Sequence, residues 1–290
     1  SDTKNRNQPM IQKPRTTIVG LLLLIALATG ACNLEEFEAE RENDYQTALS
    51  YWNGDGVEQD SIEAMHWFME AADKVHQEAQ YTLGLAYRDG AGIEQDSTEA
   101  MHWFKKAGSW PGHREAQYEL GQMHDSKGIY LIMETITQTE VERWERNAEA
   151  SGHHEEALRW YRKAAEQGHP KAQYELAEAY YIGENGVEQD LTQVAHWIMK
   201  AAMQGHADAQ ANIGFYTNNG YVFQRDPVEA FAWILIAREG GSERAGNVGT
   251  EWIENKLTPT QKTQAEQRAK EIKEDIQANI KAQTSNAQAD

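Results

Sequence analysis

The chain has 290 residues, enough for one long domain or two short ones, and carries 46 acidic against 27 basic side chains, a formal net charge of −19. A body this acidic repels phosphate backbones, which argues against nucleic acid as a partner and in favour of a protein with a basic patch. Its one cysteine, Cys32, excludes an intramolecular disulfide and a cysteine-built metal cage.

The N-terminus reads as an address. In "MIQKPRTTIVGLLLLIALATGAC" (10–32), Lys13 and Arg15 form a basic start, an apolar run begins at Ile18, and small residues close it. That is the three-part plan of a secretory signal. Even extended to Ala31, the run is about 14 residues, against the roughly 20 that a spanning helix needs. Residues 1–31 are therefore predicted to be a signal peptide. Cys32, directly after Thr29-Gly30-Ala31, resembles the lipobox of bacterial lipoproteins, in which the cysteine is acylated and becomes the first mature residue. Thr29 stands where that pattern has Leu or another aliphatic residue, so ordinary cleavage after Ala31 stays open. The resemblance implies a membrane anchor through lipid on Cys32. Asn33 in the next position, in place of Asp, implies a periplasm-facing protein of the outer membrane. Residues 32–44, "CNLEEFEAEREND", suit an acidic tether or the lead-in to a first helix.

Beyond residue 44 the chain repeats. Trp67, Trp103, Trp160, Trp197 and Trp233 lie 36, 57, 37 and 36 residues apart. "EAQY" at 78–81 and 115–118 returns as "KAQY" at 171–174 and "DAQA" at 208–211. Gly84, Gly121 and Gly214 keep step, with Ala48 and Ala177 at the matching points. A period near 36 residues predicts a helical solenoid, each unit a pair of helices. In the second unit Ala79, Leu83, Ala86 and Tyr87 mark the first helix. Ala100, Trp103, Phe104 and Ala107 mark the second. The tryptophans are read as core, and the small residues as points of close helix approach.

"GVEQD" at 56–60 and 186–190, "GIEQD" at 92–96 and "VFQRD" at 222–226 are then the turns inside the pairs. Gly54 and Gly56, like Gly90 and Gly92, supply the positive φ that ends a helix. Val57, Ile93 and Val187 are apolar pegs. Asp60, Asp96, Asp190 and Asp226, each followed three residues on by Glu63, Glu99, Gln193 and Glu229, predict capping boxes. Pro227 suits a first helical position. "NGDGVEQD" lacks the oxygen alternation and length of a calcium loop.

The segments "AQYTLGLAYRDGAGIEQDSTEAMHWFKKA" (79–107) and "AQYELAEAYYIGENGVEQDLTQVAHWIMKAAMQGH" (172–206) resemble Sel1-like repeats, relatives of the tetratricopeptide repeat. The likeness covers residues 45–244 in five units, the third interrupted by an insertion at about 125–157. It implies an all-α, right-handed α-solenoid of helix-turn-helix repeats, a scaffold or adaptor role, and no catalytic residue to carry over. Residues 245–283 are expected as capping helices, with Thr258, Pro259 and Gln261 starting the last one. Residues 284–290 are expected as a disordered tail.

No cofactor motif stands out. His66, His102 and His196 each precede a repeat tryptophan and face its edge or solvent. His153 and His154 form no zinc-protease motif, and His169 and His206 fall in inter-repeat turns. The irregular parts are the better candidates for a partner. Ile129, Ile132, Met133, Ile136 and Trp144 suggest an apolar stripe in the insertion, so Tyr130, Trp144 and Trp110 of "GSWPGH" are the candidate partner-binding residues. The expectation is a non-catalytic envelope lipoprotein that binds another protein. Some Sel1-like lipoproteins act as immunity proteins against an envelope-targeting toxin such as a phospholipase. The alternative is a structural part in an envelope assembly or polysaccharide-export complex.

Overall fold

The computed structural model describes residues 34–109, 112–134, 140–183, 187–246, 251 and 253–287. Along 34–35, 127–134, 140–151 and 286–287 it describes the backbone alone. Twelve helices occur among the described residues, and no strand. In chain order they are α1 Leu34–Asn53, α2 Ser61–Asp73, α3 Gln77–Asp89, α4 Ser97–Ala107, α5 Arg114–Glu134, α6 Glu140–Glu166, α7 Pro170–Ile182, α8 Leu191–Ala202, α9 Ala207–Asn219, α10 Pro227–Glu239, α11 Glu243–Gly246 and α12 Pro259–Ala287. The fold is the all-α solenoid type that the period predicts, odd-numbered first helices pairing with even-numbered second ones from α1 to α10. Two compact units divide at Ala79/Gln80. The first holds the α1/α2 pair, and the second carries the chain from Gln80 onward.

The pairs α1/α2, α3/α4, α7/α8 and α9/α10 are each closed by the recurring pentapeptide, which caps two helices at once. Gln95 Nε2 donates to the Arg88 carbonyl at 2.6 Å, ending the helix before it, as Gln59 does to Trp52 at 2.8 Å and Gln189 to Tyr181 at 2.8 Å. In "VFQRD" Arg225 Nε takes over the role, reaching Asn218 at 3.1 Å. Asp96 Oδ1 then accepts from Thr98 N and Glu99 N, at the head of the next helix. Asp60, Asp190 and Asp226 do likewise. The backbone N–H of each aspartate bonds back to the preceding helix, at Tyr51, Tyr87, Tyr180 and Thr217. The expected capping boxes are thus half formed, because that N–H already has a partner. Thr258 and Gln261 do form the full reciprocal box at the head of α12. Of the apolar pegs, Val187 packs on the core while Val57 is 40% exposed.

The pairs approach closely where the repeat has its small residue. A Cβ on Gly84 would lie 2.4 Å from the Phe104 ring, and one on Gly121 2.4 Å from the Tyr161 ring. The most buried aromatic or aliphatic residue of each second helix is therefore the one after the tryptophan: Phe68, Phe104, Ile198 and Ile234 are all fully buried. The tryptophans sit at the core margin. Trp103, Trp160, Trp197 and Trp233 are buried, whereas Trp67 is half-buried. Lys106, Lys163 and Lys200 lie 3.9, 4.0 and 4.8 Å from the ring centroids of Trp103, Trp160 and Trp197, covering them from solvent.

The insertion lengthens both helices of the third pair. α5 has 21 residues and α6 has 27, against 13 in α3, α7 and α9 and 11 to 13 in α4, α8 and α10. Residues 34–44, expected as a tether or lead-in, form the first part of α1. At the other end α12 buries Ala265, Ala269, Ile272 and Ile276, spaced along one face, beside α10. Arg268–Glu229 at 2.7 Å and Lys273–Glu239 at 2.8 Å flank that seam. Residues 284–287, expected as the start of a disordered tail, continue the helix. Their hydroxyls assist it, Thr284 donating to the Ile280 carbonyl and Ser285 to that of Lys281.

Candidate functional site

A repeat protein recognises its partner with the residues that its helices do not spend on each other, so the surface starts where the junctions stop. At the first four inter-repeat junctions a histidine caps the next first helix. His113, His169 and His206 Nδ1 accept from Ala116, Ala172 and Ala209 N at 3.2, 3.1 and 3.2 Å. Their rings stack on Tyr81, Tyr118 and Tyr174 of the repeat before, at 4.5, 4.4 and 4.7 Å between centroids. In the first unit His76 stacks on Tyr45 in the same way at 4.4 Å. Burial holds His169 at about 4, well below the ordinary imidazole value, and lowers His206 too. Both rings therefore stay neutral, which leaves Nδ1 free to accept. Ser242 fills this place at the last junction, its Oγ accepting from Ala245 N. The signal for this ladder was present in the sequence, as a His ahead of each "AQY" or "AQA" block.

Fixing the tyrosine fixes what stands beside it. Thr82, Glu119, Glu175 and Asn212 each follow the ladder position. Leu85, Gln122, Glu178 and Phe215 come one helical turn later, so these two rows share one face of α3, α5, α7 and α9. In the second unit that face is acidic and networked. Arg88 Nη1 meets Glu119 Oε2 at 2.7 Å. His154 Nδ1 meets Asp125 Oδ1 at 2.7 Å. Glu178 Oε1 accepts from Asn212 Nδ2 at 2.8 Å and from the Tyr216 hydroxyl at 3.3 Å. Burial, with the Asp125 and Glu178 carboxylates nearby, pushes Glu175 up to about 7. A second feature, an open groove of about 870 Å³, lies among the second helices, lined by Glu166, His196, Met199 and Lys200 with Asn279 and Gln283 of α12.

Cys32 and Trp110 lie outside the described residues. Tyr130 and Trp144 are on α5 and α6, with their side chains outside the described residues. His66, His102 and His196 are exposed and stand edge-on to the tryptophans that follow them. His153 lies with its Nδ1 3.4 Å from that of His124, one rung from the His154–Asp125 pair. Among the described residues no group of three His, Cys, Asp or Glu is placed to hold a metal ion.

The Sel1 repeat matches residues 44–76, 77–109, 114–129, 154–169, 170–206 and 207–242, more than half of the chain. The chain belongs to the Sel1 repeat family. In Sel1 terms, 114–129 and 154–169 are the two halves of one unit, and the match lapses where α5 and α6 run long. A crystal structure of a Sel1 repeat protein from Oxalobacter formigenes is 27% identical, with a TM-score of 0.57 over 80% of this chain and 86% of that one. A protective antigen of uropathogenic Escherichia coli strains displaying an SLR fold is 24% identical, with a TM-score of 0.40 over 85% and 63%. An immunity protein from Pseudomonas aeruginosa is 17% identical, with a TM-score of 0.43 over 81% and 82%. No curated protein matches the sequence. Membership makes the chain a protein-interaction scaffold.

Proposed function

We propose that the chain is a non-catalytic lipoprotein of the bacterial envelope whose Sel1 repeats bind and neutralise a toxin directed at that envelope. One observation carries this reading: the Sel1 pairs of the second unit carry a networked set of carboxylates, and the same chain has a cysteine directly after a signal-like segment. Acidity supports rapid capture of a basic partner, since opposite charge raises association rates. Lipid on Cys32 would place that capture at the membrane the toxin attacks.

Two measurements test the two halves separately. Detergent phase partitioning of the full chain and of Cys32→Ser reads the anchor: the parent is expected in the detergent phase and the variant in the aqueous phase. Equal partitioning would remove the lipid. Capture from envelope extract, followed by co-expression of the captured protein with and without the chain, reads the activity. Rescue from a lethal captured protein is expected. A non-lethal assembly or export component in its place would make the role structural.

A further inference from the structure

α12 shows how the second helices take a further helix. Its apolar row, Ala265, Ala269, Ile272 and Ile276, is buried in the core of the second unit. Basic residues beside that row meet carboxylates of α10, Arg268 on Glu229 at 2.7 Å and Lys273 on Glu239 at 2.8 Å. The repeat sets those carboxylates a second time. Glu229 and Glu239 stand four before and six after Trp233, and Glu156 and Glu166 stand four before and six after Trp160. Glu156 is taken by Arg159 at 3.2 Å. The Glu166 carboxylate is exposed and has no hydrogen-bond or ion-pair partner among the described residues. It lines the groove of about 870 Å³, to which α8 gives the half-buried Ala195, Met199 and Met203. The groove adjoins the seat of α12, since Asn279, also in its lining, donates to the Met203 carbonyl at 2.8 Å. Four residues after the buried Ile276, in the same row of α12, Ile280 is 41% exposed, so the apolar row runs on beyond its cover. Where α10 has the buried Ala232 and Ile236, α8 has the exposed His196 and Lys200, which suits a more polar helix than α12.

We propose that this groove receives an amphipathic helix of a partner protein, its apolar stripe on Ala195, Met199 and Met203 and a lysine or arginine at its edge on Glu166. The proposal rests on the reading of the chain as a protein-binding scaffold and names the element it recognises. The charge is the one the chain itself uses at the corresponding place, where Lys273 meets Glu239. The size agrees: a helix about 10 Å across fills 870 Å³ over about 11 Å, roughly seven residues, the length of one i to i+7 stripe. Unbranched methionine side chains adapt to the stripe they meet. An extended peptide is the poorer occupant, because its backbone needs partners from the groove. The carboxamides at hand are already spent, Gln167 donating to Gln117 at 2.6 Å and Gln204 to Gln173 at 2.7 Å. A helix satisfies its own backbone and asks only for side-chain contacts.

The test uses the full chain and a fluorescent peptide of residues 262–281, which carries the apolar row and basic edge of α12. A lactam between Lys270 and Glu274, an exposed i,i+4 pair, holds it helical. Anisotropy is expected to show saturable binding. Glu166→Lys, on an exposed side chain, is expected to keep the melting temperature and to weaken binding about tenfold, as a like-charge contact replaces an ion pair. The Lys273→Glu form of the peptide is expected to bind the parent about tenfold more weakly and the Glu166→Lys chain within about threefold of the original pair, the signature of direct contact. Absence of saturable binding, or a loss in Glu166→Lys that the reversed peptide does not restore, would overturn the site. Restoration in Glu239→Lys in its place would mean that the peptide displaces α12 from its own seat, and would overturn it equally. Sedimentation equilibrium without peptide is expected to give a monomer, and a dimer broken by Glu166→Lys would hand the groove to a second copy of the chain. None of these results touches the toxin reading, since capture and rescue do not depend on which surface is used.

Discussion

Glu63 Oε1 accepts the indole N–H of Trp67 at 3.1 Å, while the Asp60 backbone N–H, which a capping box would give to Glu63, bonds to the Tyr51 carbonyl at 3.0 Å. The same exchange joins Gln193 to Trp197 and Glu229 to Trp233, both at 3.1 Å. The third residue of the second helix is thus spent on a tryptophan at the core margin. The aspartate N–H is spent on tying the second helix to the first. A residue spacing that usually marks a helix start serves here to fix the angle within a pair.

The roles inside the pentapeptide are unequal, and a mutation series in "GIEQD" should rank them. Asp96→Ala removes the acceptor of two backbone N–H groups and should cost about 1 kcal/mol. Gln95→Glu keeps the shape but removes the donor to Arg88, for about 0.5–1.5 kcal/mol. Glu94→Ala, on an exposed side chain, should stay within about 0.5 kcal/mol. Urea midpoints check the order, and a Glu94 effect as large as that of Asp96 would contradict it.

Glycines at different places in α5 and α6 should respond with opposite sign. Gly121 faces the Tyr161 ring, and a methyl there would lie 2.4 Å from it, so Gly121→Ala should lose about 1–2 kcal/mol despite better helix propensity. Gly152 is exposed on α6 with nothing within 4 Å of an added Cβ. Gly152→Ala should therefore gain nearly 1 kcal/mol, the helix preference for alanine. Thermal melts of the two variants should move apart, and a shared direction would misplace the α5/α6 contact.

What was legible in the sequence was whatever the period itself carries. Trp67 to Trp233 set the repeat, Gly84 and Gly121 set the close approaches, and Thr258 with Gln261 set the start of α12. The double role of Gln95 and Asp96 was only half legible, because the carbonyl that Gln95 caps belongs to a helix seven residues back. The histidine ladder was missed for a related reason: His169 acts on Tyr118, 51 positions earlier, a distance no local pattern records. Glu175 could not be singled out in a chain with 46 acidic residues. Only packing, which places it between two arginine-paired neighbours, makes it distinct.

Trp160 tests the core margin where no indole partner exists. It is 9% exposed and packs with Ala100, Phe104 and Leu120, so it joins α4, α5 and α6. Trp160→Ala should cost about 3–5 kcal/mol. Its buried Nε1 has no hydrogen-bond partner among the described residues, so Trp160→Phe gives up area without breaking a bond and should cost far less. His102→Ala, on an exposed residue, should be nearly neutral. Equal midpoint losses for Trp160→Ala and His102→Ala would put the wrong face of the second helices in the core.

The histidine ladder should make the protein sensitive to mild acid. His169 is neutral in the fold because burial outweighs the attraction of Glu115, and its pKa falls from the ordinary 6.5 to about 4. A group whose folded value is depressed below the unfolded one binds its proton more readily when unfolded. Stability is then complete above pH 6.5 and is lost as pH falls from there toward 4, by on the order of 3 kcal/mol for this residue at the lower limit. His206, lowered in the same direction, adds to the slope. Protonation also converts Nδ1 from acceptor to donor, which breaks the cap on Ala172 N. His169→Asn keeps an acceptor at the helix start and cannot titrate, so it should be less stable than the parent at pH 7.5, for want of the stack on Tyr118, yet lose less between pH 6.5 and 4.5. Urea unfolding at a series of pH values measures both slopes. Parallel curves would mean that His169 binds its proton equally well folded and unfolded, and a parent that gains stability toward pH 4.5 would mean that the ladder is held by charge with Glu115 rather than by neutral stacking.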